Sequence, residues 1–346
     1  MAKKTKRVVK RKKTVIRPKT KKRKTSKRKA LHVFSQIYKD FIAFYKACWK
    51  AWYKTWSSPK FSRVTWLGAS AAVIGVLLLG ILVKSGPQFH TVIKDHQLSK
   101  LFKQSENLPT NERVAFWSHQ LMKNPRLLSS LEPGPKIDDS APVFPQKYDC
   151  TTFVETIGGL VKSTDGSDLS HQIVSIRYLK GRTAYLYRNH FPEADWIPNN
   201  ERAGNLKDIT VSLAGKAGIV ASWVHKDINK LAWFKKQHVD VDLRSLASSD
   251  TVPVELPYLP LNKLSKALKS IPQGSIVNIV RKDSSKMPVL ISHQGFLIWK
   301  EGQPYFRHAS NGHEIAEVPF LTYMEKVQRS SRWKVLGINV NQFNGS

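Results

Sequence analysis

Cysteine occurs twice in the 346 residues, at positions 48 and 150. Cys150 stands in KYDCTTFVETIGGL, where a polar turn runs into an apolar stretch. Phe153, Val154, Ile157, Leu160 and Val161 recur there at helical spacing and predict a helix with one buried face. Asp149 is a natural N-cap for it, which places Cys150 in the first turn. The unpaired N–H groups and the helix dipole at that position stabilise negative charge, so a thiolate is favoured and Cys150 is a candidate nucleophile. Its own N–H could help hold the oxyanion of a tetrahedral intermediate. An inert core cysteine is the plainer alternative, and only a partnering base decides against it.

Eleven histidines are available. In VLISHQGFLIWKEGQPYFRHAS, strand alternation puts His293, Gly295, Leu297 and Trp299 on one face. If Glu301 and Gly302 form a hairpin turn, His308 faces Gly295 and shares the face of His293. Gly295 has no side chain, so the two imidazoles could approach each other across it. That arrangement suits a base, His293, and an orienting partner, His308. Two histidines could instead bind a metal, but no carboxylate or third ligand follows at suitable spacing, so neither metal nor cofactor is expected. His313 reads as a surface residue in a turn. A second polar concentration, RNHFPEADW, packs Arg188, Asn189, His190, Asp195 and Trp196 into nine positions. It is either a substrate-contacting wall, with Arg188 pairing a carboxylate, or a structural turn with Trp196 in the core and Arg188 paired to Asp195.

The elements that must carry these residues read as helices first and strands later. NERVAFWSHQLMKNP predicts a helix capped by Asn111, with Val114, Trp117, Leu121 and Met122 as its apolar stripe. A Pro-rich loop leads to the Cys150 helix, and strands dominate after about residue 172. GSIVNIVRK and PVLISHQGFLIWK are the clearest of them. The expected fold class is an α+β layer fold. Residues 211–250 are polar and read as an insertion.

The N-terminal third differs. Of 57 Lys and Arg residues, 23 fall within residues 1–63, against a single acid, Asp40. Residues 1–30 read as a disordered basic tail. Anionic lipid headgroups are its expected partner class and nucleic acid is not expected; a tail without a specific ligand is the simpler alternative. Residues 31–60 carry Phe34, Tyr38, Phe41, Tyr45, Cys48, Trp52 and Trp56 at spacings of three or four, a basic amphipathic helix suited to a bilayer interface. Trp66 to Val83 gives 18 uncharged residues, within 65–84, and predicts one transmembrane helix. The basic flank precedes it, so the N-terminus is expected in the cytoplasm, the protein as a single-pass inner-membrane protein, and the body in the periplasm. Residues 85–104 read as a linker and 105–346 as the globular domain. That topology separates Cys48 from Cys150 and leaves Cys150 a lone exported thiol.

YDCTTFVE, IRYLKGRTAYLYRNHFPEADWIPNN, LKDIT, IPQGSIVNIV, SHQGFLIW and FRHAS occur in this order. Together they resemble the N-acetylmuramoyl-L-alanine amidase-like family, formerly a domain of unknown function and a branch of the NlpC-type, papain-like cysteine hydrolases of peptidoglycan. The resemblance covers roughly residues 105–343. It implies a papain-like domain, N-terminal helices packed on an antiparallel sheet, with Cys150 as nucleophile, His293 as base and His308 as the third, polar member. It further implies substrate contacts from Asp149 and from Arg188, Asn189, His190, Asp195 and Trp196. The implied reaction is cleavage between N-acetylmuramic acid and L-alanine in peptidoglycan or a muropeptide. A stem-peptide endopeptidase and a non-catalytic, membrane-tethered, polyanion-binding protein are the alternatives.

Overall fold

A computed structural model describes residues 96–129, 131, 142–145, 147–237, 251–310, 314–330 and 332–345. Helices come first: α1 (His96–Ser105), α2 (Thr110–Lys123), α3 (Cys150–Lys162) and α4 (Leu169–Arg177). They do not stop near residue 172. A π-helical turn (Pro192–Trp196) runs into α5 (Ile197–Arg202) before the first short strand, β1 (Leu206–Asp208). Then follow α6 (Thr210–Lys216), β2 (Ser222–Asn229), α7 (Lys230–Lys236), β3 (Thr251–Pro260) and α8 (Leu264–Leu268). The chain continues through β4 (Ile276–Arg281), β5 (Ile291–Lys300), β6 (Gln303–Ala309), β7 (Ile315–Pro319), α9 (Phe320–Ser330) and β8 (Val335–Phe343).

The strands form one eight-stranded antiparallel sheet in the order β2-β3-β8-β4-β5-β6-β7, with β1 added against β8. Part of the region that reads as an insertion supplies the sheet's end: β2 pairs with β3 from Ser222↔Tyr258 to Asn229↔Thr251. Helices cover both faces of the sheet, not one. On the first, Phe153, Val154, Ile157 and Leu160 of α3 join Ile276, Val280, Phe296, Ile298 and Phe343 in the larger core. On the second, Phe320 and Met324 of α9 and Leu264 and Leu268 of α8 cover Val277, Ile279, Leu297, Phe306 and Ile338. Strand residues alternate between faces. A strand covered on both sides therefore has no polar face to show, and every residue of β4 is buried.

Two details at the domain's entrance differ from expectation. The stretch that reads as a linker carries α1, whose Leu98, Leu101 and Phe102 are buried in the larger core. Helix α2 begins at Thr110 with Pro109 in the capping position, so Asn111 lies inside the helix. Pro109 lacks an N–H and brings a fixed φ, and such a residue suits a helix start without any capping side chain.

The expected membrane span needs correction. Among the described residues no helix is long and apolar enough to cross a membrane. Residues 66–83, like the basic tail and the aromatic helix with Cys48, lie outside the described residues. The fold class is thus an α+β domain of helices on an antiparallel sheet, with no transmembrane helix among the described residues. The single-pass localisation, the periplasmic placement and the membrane and lipid partners lose their support with it.

Candidate active site

Helix α3 starts with a reciprocal cap. The Asp149 carboxylate accepts from Thr152 N at 2.7 Å, while Asp149 N donates to Thr152 Oγ1 at 3.0 Å. Thr152 Oγ1 also donates to the same carboxylate at 2.7 Å. Asp149 is therefore committed to holding the helix end that presents Cys150. The local electrostatics differ from the simple helix-dipole expectation. Burial pushes the Cys150 thiol up, the neighbouring Asp149 carboxylate adds to that, and hydrogen bonds from Gln294 N–H and Thr151 only partly oppose it. Removing water costs the charged form more than the first helical turn returns. Cys150 rests as a thiol, and a proton acceptor is needed to use it.

The hairpin that carries the two histidines has the expected register. Glu301 (φ +49°) and Gly302 (φ +73°) make a two-residue turn, and β5 pairs with β6 from Lys300↔Gln303 to Phe296↔Arg307. His293 Nε2 lies 2.9 Å from His308 Nδ1, with the two rings edge-on. Gly295 serves this differently from the sequence reading. A Cβ there would meet the Phe306 ring and the Arg307 carbonyl oxygen at 2.7 Å. The missing side chain thus makes room for Phe306, whose ring stacks on His308 at 16°. Burial holds both imidazoles down at about 4, and His308 and Arg281 push His293 further in that direction. Two neutral rings share one proton along their contact. With Nε2–H of His293 donating to Nδ1 of His308, the Nδ1 of His293 keeps an accepting lone pair. Two links tie His293 to Cys150: Gln294, next to His293, gives its backbone N–H to the thiol, and the Asp149 carboxylate acts on His293.

How His293 is aimed was not legible in the sequence. The β4–β5 register slips where Ile279 faces His293 but Val280 faces Ile291, leaving Ser292 as a bulge. Bulges re-aim side chains beside sites. Arg281 Nε donates to Ser292 Oγ at 2.7 Å, and just before the bulge the Glu193 carboxylate accepts from Leu290 N and Ile291 N. Burial raises Glu193 to about 7, against the pull of those two N–H groups.

A buried amide ladder lies on the other face of β5. Thr151 Oγ1 donates to Gln294 Oε1 (3.2 Å), Gln294 Nε2 to Asn278 Oδ1 (2.8 Å), and Asn278 Nδ2 to Asn339 Oδ1 (2.9 Å) and Asn341 Oδ1 (2.8 Å). Asn339 Nδ2 then reaches Asp208 Oδ2 at 2.6 Å. The ladder ties the first turn of α3 to β5, β4 and β8. Polar amides inside the apolar runs IVNIVR and GINVN were the available signal. Glu155, in the Cys150 motif, was also missed. Its carboxylate accepts from Arg177 Nε at 2.6 Å with both side chains 1% exposed, and Arg177 Nη1 reaches Pro142 O at 2.8 Å.

The RNHFPEADW residues have other partners. Asn189 Nδ2 donates to Ile176 O at 3.0 Å and its Oδ1 accepts from Asn199. His190 bonds Tyr185 O at 2.7 Å among the Tyr185, Trp233 and Phe234 rings. Asp195 pairs with Lys230, not with Arg188, and Trp196 is wholly buried. Arg188 forms a bridge with Tyr178, and its charge acts on Glu155. For metal, no group of three or more His, Cys, Asp or Glu side chains is placed to hold an ion among the described residues.

The model of the N-acetylmuramoyl-L-alanine amidase-like family matches residues 117–331, more than half of the chain, and spans Cys150, His293 and His308. The chain belongs to that family. A crystal structure of a Legionella pneumophila protein is similar over 71% of this chain and 93% of its own, with 26% identity and a TM-score of 0.61. An N-acetylmuramoyl-L-alanine amidase from Bacteroides uniformis covers 57% of this chain and 84% of its own, with 23% identity and a TM-score of 0.46. No curated protein matches the chain. Membership of the amidase-like family supports an amidase-like hydrolase with a peptidoglycan-derived substrate.

Proposed function

We propose that the domain hydrolyses the amide bond between N-acetylmuramic acid and L-alanine, with Cys150 as nucleophile. The observation that carries this reading is the 2.9 Å contact between His293 and His308, beside a capped helix start bearing the only cysteine of the described residues. Nδ1 of His293 takes the Sγ proton as sulfur attacks the lactyl carbonyl. The oxyanion is held by the Cys150 N–H at the helix start. As the tetrahedral intermediate collapses, the imidazolium gives its proton to the departing nitrogen of L-alanine, and a thioester remains. His293 then takes a proton from water, hydroxide adds to the thioester, and Sγ leaves and recovers the proton. His308 accepts from Nε2–H throughout and fixes the tautomer. The raised thiol and the lowered imidazoles support a neutral pair at rest, with the proton moving during attack.

Muropeptides incubated with the protein and analysed by mass spectrometry test this. The expected product is a free peptide with N-terminal L-alanine and an intact sugar, and Cys150→Ala should reduce it to background while melting like the wild type. Fragments in which L-alanine stays on the muramic acid would establish a stem-peptide endopeptidase instead. Full activity in Cys150→Ala would remove the thiol from the mechanism.

A further inference from the structure

Helix α9 lies beyond the last residue of the proposed triad, and the reaction above makes no use of it. Phe320 and Met324 on its buried side seat it against the sheet, in the core that includes Phe306. One turn of that helix reaches the imidazoles. The Tyr323 ring lies 5.0 Å from the His308 ring, 6.2 Å from the His293 ring at a shallow 30°, and 4.8 Å from Phe306. His308 is thus held between two aromatic rings, Phe306 stacked on it and Tyr323 tilted against it. Tyr323 itself is half-buried, with Leu321 and Thr322 of the same turn exposed.

We propose that Tyr323 is a positioning residue for the base: its ring closes over the His293–His308 hydrogen bond, keeps water from both imidazoles and holds them at the angle that aims Nδ1 of His293 at the thiol. The inference rests on reading His293 as the base of Cys150. Water is the usual stabiliser of an imidazolium, so a dry cover favours the neutral ring, and a neutral ring is what a proton acceptor requires. The groups that face the pair act in the same setting: Arg281 of β4 opposes protonation of His293, and Asp149 at the cap of α3 favours it. The thiol of Cys150 and the Arg281 guanidinium both act on the Tyr323 phenol, which burial and the thiol raise to about 12. The hydroxyl therefore stays protonated across the working range, and the ring supplies the cover.

Titrating the two imidazoles by nitrogen-15 NMR in the full-length protein tests this, alongside the pH profile of kcat/KM on muropeptides. Tyr323→Phe keeps the ring and should leave both imidazole midpoints and the acid limb of kcat/KM where the wild type has them. Tyr323→Ala opens the pair to solvent and should raise at least one imidazole midpoint by about one pH unit toward the ordinary histidine value. The acid limb should move with it, so the deficit at pH 5 should exceed the deficit at pH 8 by roughly twofold. If Tyr323→Ala melts too low to titrate, Tyr323→Leu takes its place with the same expected direction. Unmoved midpoints in the folded Ala or Leu variant would reduce Tyr323 to ordinary packing and overturn the proposal. Equal shifts in Tyr323→Phe would transfer the effect to the hydroxyl and overturn it as well. The NMR titration does not depend on turnover and repeats in the Cys150→Ala background. A failed nucleophile assignment is therefore distinguishable from a failed Tyr323 assignment.

Discussion

His293 and Gln294 are neighbours on β5, yet they serve two kinds of polar interior. His293 points to the face of Phe306 and Tyr323, where its side-chain hydrogen bond among the described residues is to another imidazole. Gln294 points to the face of α3, where an amide ladder passes hydrogen bonds from Thr151 to Asp208. The imidazoles can gain or lose a proton. The amides cannot, so the bonds from one amide to the next involve no titrating group. A site that must move a proton needs a frame that does not, and the alternation of one strand supplies both. Chemistry and stability should accordingly be separable by mutating one face at a time.

The largest expected effect is on the titratable face. His293→Ala should lower kcat/KM by about 10³-fold or more, since the thiol loses its acceptor, while the denaturation midpoint at pH 7.5 stays near that of the wild type. A comparable loss of stability would show that the two faces are not separate. Next is Asn278→Leu on the amide face. It removes one acceptor and two donors and leaves Gln294, Asn339 and Asn341 with unsatisfied buried groups, so about 2–4 kcal/mol should be lost in urea denaturation. Where that variant is folded, kcat should stay within severalfold of wild type.

The third prediction uses acid. Both imidazoles are held at about 4, below the ordinary 6.5. The unfolded chain binds their protons first, so the stability they contribute is present above about pH 6.5 and is lost as pH falls toward 4. His293→Gln should therefore lose less stability than wild type between pH 7 and pH 4, by about 2–3 kcal/mol. Equal losses would mean that the imidazoles protonate in place. The smallest effect belongs to Glu193, raised to about 7 from an ordinary 4.5. Here the folded state holds the proton longer, so this contribution falls as pH rises from about 4.5 through 7. Glu193→Gln should gain on the wild type by about 1–2 kcal/mol between pH 5 and pH 8. A flat difference would place Glu193 ionised throughout.

What the residues revealed in advance was local. The Glu301–Gly302 turn, the register it sets and the capped start at Asp149 follow from short-range backbone rules, and all three stand in the structure. The resting state of the thiol did not follow, because desolvation depends on what packs over the helix start. The bulge at Ser292 is invisible in an apolar run, and the Glu193 carboxylate that bonds the backbone just before it comes from 97 residues away. Covering of the second face by α8 and α9 was hidden for a similar reason: continuous apolar strands do not say which helices will lie on them. RNHFPEADW looked chemical because its polar residues are dense, yet Asn189, His190 and Asp195 bond the structure around them.

The tight turn after β5 has a further consequence: the meeting of the two histidines depends on parity. Five residues, Gln303 to Arg307, separate Gly302 from His308. Deleting any one of them would keep every proposed catalytic side chain in the protein. It would also put His308 in the place that Arg307 now occupies, opposite Phe296 and on the far side of the sheet from His293. The site is specified by a count as firmly as by the residues themselves, and a relative that preserved Cys150, His293 and His308 could still lose it through a single missing codon.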